Sequence, residues 1–257
     1  MPPHRRGRAQ SADSFAGLEA LEALEAEIIA CRQCPRLVDW RERVAAEKRA
    51  AYVAWDYWGR PVPGFGDPAA AVLVLGLAPA AHGANRTGRV FTGDRSGDWL
   101  FRAMHRAGLA NQPTSTDRSD GLELRGAYVN AAVRCAPPAN KPTTDERDRC
   151  LAFLRRELDL LAGLRVIVVL GQFAYDVVSR ELAIRPRPRF GHGVEVPAKV
   201  GARPVTVVCS YHPSQQNTFT GTLTEAMLDA VFARTVLLAN AGEERPELKS
   251  RRRAADH

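Results

Sequence analysis

Four stretches of this chain combine residue types and spacings that can do chemistry. The first is HPSQQN at 212–217, where an imidazole, His212, directly follows an apolar run. Pro213 has no amide and stops a strand, and Ser214 can cap a following turn. Gln215, Gln216 and Asn217 then form a polar wedge. The second stretch is GLAPAAHGANRTGRVFTGDRSGDWL, residues 76–100, with glycines at 76, 83, 88, 93 and 97 beside His82, Asn85, Arg86, Phe91 and Asp94. So many glycines let backbone approach a ligand closely, and a long structured loop inside a compact domain is usually functional. Its spacing matches neither the dinucleotide fingerprint nor the phosphate loop. The third is YVNAAVRC, which puts Asn130 inside an apolar run and Cys135 just beyond it. A buried amide must use its donors and acceptors, either on neighbouring backbone or on the edge of a planar ligand in a pocket. The fourth is the cysteine set: CRQC at Cys31 and Cys34, then Cys135, Cys150 and Cys209. In a chain expected to reside in the cytoplasm, cysteines are better read as metal or cluster ligands than as a disulfide framework.

These residues need a scaffold that brings distant segments together. Apolar runs rich in Val, Leu and Ile at 71–77, 127–133, 165–170 and 204–209 lack strict alternation, as strands covered on both faces do. Helical patterns at 98–107, 144–161, 172–182 and 223–239 separate or follow them, and an amphipathic helix at 15–29 leads into the CRQC. Alternating strands and helices predict an α/β fold, a three-layer α/β/α sandwich around a central four-stranded, mainly parallel sheet. In such sheets ligands bind beyond the carboxyl ends of the strands, where the loops starting at Gly76, Arg134, Gly171 and Ser210 would lie. The aromatics Tyr52, Trp55, Tyr57 and Trp58 read as packing of a long connection, and residues 184–203, with five basic side chains, read as a solvated loop.

The chain has 257 residues, 45% of them hydrophobic and 25% charged, a globular balance that excludes a disordered protein. The longest apolar run, 69–81, is broken by Gly76 and Pro79, so no membrane span is expected. The net charge is +7, but six of those charges come from residues 1–10 and 249–257, leaving the middle near neutral. Basicity therefore suggests loose phosphate attraction rather than a specific site. The expected division is a basic tail at 1–14, a single domain at 15–241 and a second basic tail at 242–257.

Taken together, GLAPAAHGANRTGR with FTGD, VNAAVRCAPPANKP and HPSQQN resemble family five of the uracil-DNA glycosylase superfamily, a bacterial and archaeal DNA-repair group with an iron–sulfur cluster. The likeness covers about residues 28–235. It implies a monofunctional glycosylase that everts and hydrolytically removes uracil, hypoxanthine or ethenocytosine from duplex or single-stranded DNA and works as a monomer. It implies a [4Fe–4S] cluster on Cys31, Cys34, Cys135 and Cys150, leaving Cys209 as a packed thiol. Phe91 would stack on the everted base, Asn130 would face its pyrimidine edge, and Gly76, Ala78 and His82 would complete the pocket. His212 would hydrogen-bond a base carbonyl as the base leaves, with Asn85 or Asp94 orienting water. Gln215, Gln216 and Asn217 would enter the minor groove, and Lys141 and Arg134 would contact phosphate. Other branches carry Asp, Asn or Glu just after the first glycine; here Leu77 and Ala78 are apolar. The basic insertion of the crosslinking branch is absent, since GRVFTGD follows directly. The rival readings are a redox protein, which lacks a compact CxxCxxC run, and a non-catalytic DNA-binding module with a four-cysteine zinc site.

Overall fold

The computed structural model describes residues 6–241, with side chains from residue 17 onward. Residues 1–5 and 242–257 of the expected tails lie outside the described residues. Residues 6–14, expected as tail, instead form the first turns of α1 (Arg6–Ala30). The CRQC turn follows, and Pro35 opens α2 (Pro35–Glu47), where its fixed φ and missing amide cost nothing.

The sheet has six strands rather than four. In chain order these are β1 (Phe65–Gly66), β2 (Val72–Gly76), β3 (Ala127–Ala131), β4 (Val166–Leu170), β5 (Glu195–Val200) and β6 (Arg203–Ser210). Their spatial order is β1-β3-β2-β4-β6-β5. The inner four, β3, β2, β4 and β6, are parallel and are the four strands expected from the sequence. The additional two are antiparallel edges, β1 on β3 and β5 on β6. β5 lies in the segment expected to be a solvated loop. It pairs on one side only, so Pro197 is tolerated there, and Val196 and Val200 turn inward while Glu195 and Pro197 stay exposed.

Helices cover both faces. α4 (Arg95–Arg106) and α8 (Glu225–Asn240) pack on one, through Leu100, Phe101, Met104, Leu228 and Phe232 against Val72, Val74, Val129 and Val168. α1, α5 (Thr144–Leu160) and α6 (Gln172–Glu181) cover the other, with Leu151, Leu154, Leu158 and Tyr175 against Leu73, Leu75, Ile167 and Val169. Two short helices, α3 (Ala84–Thr87) and α7 (Gln215–Phe219), sit in the loops after β2 and β6. Among the described residues no helix is long and apolar enough to cross a membrane.

The Trp-rich connection packs as expected, with guanidinium groups taking the ring faces. Arg86 lies 4.0 Å from the ring centroids of both Tyr52 and Trp55, and Arg118 lies 4.4 Å from Trp58. The basic segment 184–203 is partly tied down, since Arg187 pairs with Asp176 and Arg203 donates to the carbonyls of Leu158 and Ala162.

Burial on both sheet faces makes the central strand sensitive to truncation. Ile167→Ala, at a fully buried position of β4, is expected to cost about 2–5 kcal/mol, whereas Leu237→Ala, on the exposed face of α8, should change stability by less than about 0.5 kcal/mol. Urea denaturation followed by circular dichroism measures both.

Candidate active site and cysteine cavity

The parallel strands end in a cavity of about 510 Å3, the size of a small-molecule site. Its floor and walls come from the loop after β2 (Leu77 and Ala78), from Ala131 at the end of β3, and from Phe91, Asp94 and His212. This is the carboxyl edge at which the sequence placed the chemistry.

Phe91 reaches the cavity because Gly76 has no side chain. A Cβ on Gly76 would stand 2.5 Å from the Phe91 ring, so the glycine that ends β2 leaves the space in which the benzyl group lies. Phe91 itself holds a left-handed backbone (φ 52°), a costly conformation for a bulky residue that the surrounding loop must enforce. Arg86 enforces it by donating to the carbonyls of His82 and Gly93, both at 2.8 Å, on either side of Phe91.

His212 follows β6 and sits with its ring centroid 5.9 Å from that of Phe91, at a 34° tilt. Its backbone carbonyl accepts from Ser214 N and from the Asn217 side-chain amide at 2.8 and 2.9 Å. The turn therefore fixes where the ring stands. Burial pushes the His212 pKa down to about 4, so the ring is neutral at physiological pH and one of its nitrogens carries a donor hydrogen. Asp94 caps α4, accepting from Gly97 N at 3.0 Å, and also lines the cavity. Burial holds its carboxyl above the ordinary aspartate range, while the Gly97 amide offsets part of that rise.

Several expected site residues stand elsewhere. Asn130 does not face the cavity. Successive strand residues point to opposite faces, so Ala131 reaches the cavity and Asn130 points into the α5 layer. There its amide donates to Glu157 at 2.5 Å. Arg134 is 1% exposed and pairs with the same carboxylate, so it is a buried strut and not a phosphate contact. Asn85 is fully buried and donates to the backbone carbonyl of Arg41 at 3.2 Å, bracing the loop against α2 rather than lining the cavity. His82 pairs with the Tyr57 hydroxyl at 3.1 Å, also away from the cavity. Asn217 commits its side-chain amide to His212, leaving the exposed Gln215 and Gln216 at the mouth.

Sequence reasoning missed several polar lining residues, Arg95, Ser96 and Asn140 among them. Asn140, in the APPANKP loop, lines the cavity and takes a left-handed backbone (φ 54°). The available signal was its type, because Asn tolerates that conformation better than most residues. Lys141 beside it is exposed, and its carbonyl accepts from Arg36, which also forks onto Glu146.

Cys31, Cys34, Cys135 and Cys150 all line one small closed cavity with Leu37, Val38 and Phe153, while Cys209 lies in the core beneath α6. Four thiols from three separate segments meet there, a donor set suited to a thiolate-ligated cluster. Among the described residues no group of three or more His, Cys, Asp or Glu is drawn together tightly enough for a single metal ion. The four thiols instead line one shared small cavity, and it is the chemistry of this donor set that suits such a cluster. Burial pushes Cys135 up to about 12 and Cys150 up to about 11 as free thiols. Arg41 donates to Cys135 Sγ at 2.9 Å.

The Uracil DNA glycosylase superfamily matches residues 63–235, a span containing the cavity and every strand of the sheet, and this sets the class. Type-5 uracil-DNA glycosylases are the similar curated proteins: that of Mycobacterium bovis is 53% identical over 226 residues, 87% of this chain and 83% of that protein. That of Thermus thermophilus is 48% identical over 219 residues, 85% and 98%. The type-4 enzyme of Archaeoglobus fulgidus is more distant, 26% identical over 202 residues, 77% and 83%. The chain therefore belongs to the uracil-DNA glycosylase superfamily, in its type-5 group.

Two asparagines of the same segment now have different expected phenotypes. Asn140→Ala should lower activity on a DNA substrate by about 10- to 100-fold with a stability loss of no more than about 1 kcal/mol, since its environment is exposed cavity wall and only the left-handed backbone suits Ala less well than Asn. Asn130→Ala should cost about 1–3 kcal/mol of stability by leaving the Glu157 carboxylate short of a donor. Gly76→Ala should fold yet lose activity, because the Phe91 ring must move. Thermal melts alongside single-turnover rates separate the three.

Proposed function

We propose that this chain is a monofunctional DNA glycosylase of base excision repair that everts uracil from DNA, hydrolyses its N-glycosidic bond and leaves an abasic site. The observation that carries this reading is a neutral His212 imidazole set beside the Phe91 ring in a cavity with a largely apolar floor. An everted base must be held in a closed pocket, and a benzyl face offers stacking to any nucleobase. When the glycosidic bond breaks, the sugar becomes oxocarbenium-like and the base departs as an anion. A neutral imidazole donating to a base carbonyl stabilises that anion, and a donor placed in a dry pocket is worth several kcal/mol of barrier.

Leaving-group stabilisation outweighs water activation here. Leu77 and Ala78 offer no acid–base group, and Asn85 is engaged with Arg41. Asp94 is then the group that orients water, its carboxylate fixed by the start of α4. Asn140 takes the amide role that sequence reasoning gave to Asn130 and reads the polar edge of the base. The apolar wall at Ala78 and Ala131 leaves room for hypoxanthine and ethenocytosine beside uracil. The exposed Gln215 and Gln216 at the cavity mouth would enter the minor groove, and the exposed Lys141 would contact a phosphate.

Cys31, Cys34, Cys135 and Cys150 would hold a [4Fe–4S] cluster whose contribution is structural. It would clamp both ends of the loop between Cys135 and Cys150, which carries Asn140 to the cavity and Lys141 to the surface. Purified protein should be brown, with about four iron and four sulfide per chain; a colourless zinc protein would sink this reading of the cysteines.

Incubated with uracil-containing duplex, the protein should release free uracil and leave alkali-labile sites without nicking the backbone itself. His212→Ala should lower the single-turnover rate by about 100- to 1,000-fold. If Asp94→Asn cost far more than His212→Ala, the emphasis on the leaving group would be reversed. Because the His212 pKa lies at about 4, its protonation cannot produce a limb near the ordinary histidine value of about 6.5. The rate should fall toward acid first as Asp94, whose carboxyl burial holds above the ordinary range, loses its charge, and again in stronger acid as His212 gains a proton. A histidine-like limb near neutrality that survives in Asp94→Asn would show that the ring is not buried during catalysis.

A further inference from the structure

Two arginines stand where side chains are ordinarily apolar. Arg41, on α2, and Arg134, just before Cys135, are each 1% exposed, and both line the cavity of the four cysteines. A guanidinium stays charged in proteins, and a buried charge without a counter-charge is strongly unfavourable. The protein supplies a full counter-charge to only one of the two. Arg134 has Glu157, which it shares with Asn130. Arg41 has only Glu42 at 3.7 Å, a half-exposed carboxylate already engaged with Arg32. The donors are also under-used: among the described residues Arg41 Nε and Arg134 Nε and Nη1 are buried with no hydrogen-bond partner. One Arg41 donor, Nη1, already lies 2.9 Å from Cys135 Sγ, and another, Nη2, reaches the Cys31 carbonyl at 3.3 Å.

We propose that Arg41 and Arg134 form the cationic shell of the iron–sulfur cluster, balancing its negative charge and donating N–H bonds to its sulfurs. This inference rests on the cluster reading above. Four thiolates leave a [4Fe–4S] cluster with a net negative charge, and hydrogen bonds to its sulfurs help set its reduction potential. Such a charge supplies what the cavity lacks, an anion next to Arg41 and acceptors beside the unused N–H groups of both guanidiniums. Arginine suits the position better than lysine because its planar fork can serve a sulfur and a carbonyl at once, as Arg41 does. Neither residue lines the substrate cavity, and both act through the cluster, so they are positioning residues.

The test is Arg41→Gln in the full-length protein loaded with iron and sulfide. The variant is expected to lose its visible absorption to an iron chelator about 10-fold or more faster than wild type. Its reduction potential should shift negative, since a cation that favours the added electron is gone. Arg41→Lys, which keeps the charge but loses the fork, should fall between the two and carries the comparison if the glutamine variant does not fold. A wild-type rate of cluster loss and an unmoved potential in the folded variant overturn this inference and leave the cluster reading intact. Wild-type protein that takes up no iron and sulfide overturns both.

Discussion

The alternation of β3 is the constraint on which the rest depends. Along this one buried strand and its exit, Ala131 points into the substrate cavity, Asn130 points into the opposite layer, and Arg134 and Cys135 continue into the cysteine cavity. A shift of one residue in register would exchange the two faces, placing a polar amide at the cavity wall and stripping Glu157 of a donor. The Asn130–Glu157–Arg134 network opposes such a shift. Breaking a buried ion pair by removing one partner costs about 3–5 kcal/mol, so the network fixes register as much as it adds stability. The parallel pairing of β3 with β2, with Leu75 opposite Asn130 and Gly76 opposite Ala131, then sets Gly76 and the Phe91 ring beside the same cavity.

Much of this was legible in the sequence, and the failures share a physical cause. Four apolar runs marked the parallel strands and their helices to within a few residues, because burial on both faces writes continuous hydrophobicity. That same continuity hid the facing of Asn130: a strand apolar on both sides carries no alternation from which to tell cavity from core. Only pairing with its neighbours resolves it. β5 was hidden for the opposite reason. An edge strand that contains Pro197 and exposes Glu195 and Pro197 looks like loop when read residue by residue. Asn140 was overlooked because its placement depends on the left-handed turn of a proline-rich loop, which composition suggests only weakly.

The motif residues fared unevenly because a motif records that residues matter without recording which task each performs. His212, Phe91 and Asp94 reach the cavity. Asn85 and His82, in the same stretch, hold the loop in shape through Arg41 and Tyr57. A loop of about twenty residues with many glycines loses a large conformational entropy on ordering and needs such internal struts. Arg86 illustrates this, with its guanidinium against two aromatic rings and its donors engaged by carbonyls on both sides of Phe91.

The same struts tie the two cavities to each other. Asn85, in the loop that presents Phe91, donates to the backbone carbonyl of Arg41, and the side chain of Arg41 reaches Cys135 Sγ. On the other side of the strand ends, the loop running from Cys135 to Cys150 brings Asn140 to the wall facing His212. His212 is therefore anchored to β6 and Asn140 to the loop that leaves the cysteine cavity. A pocket built on dissociative chemistry needs this kind of rigidity more than it needs a strong base. Its donors must already be in place when the anion forms, because any reorganisation at that moment would be added to the barrier.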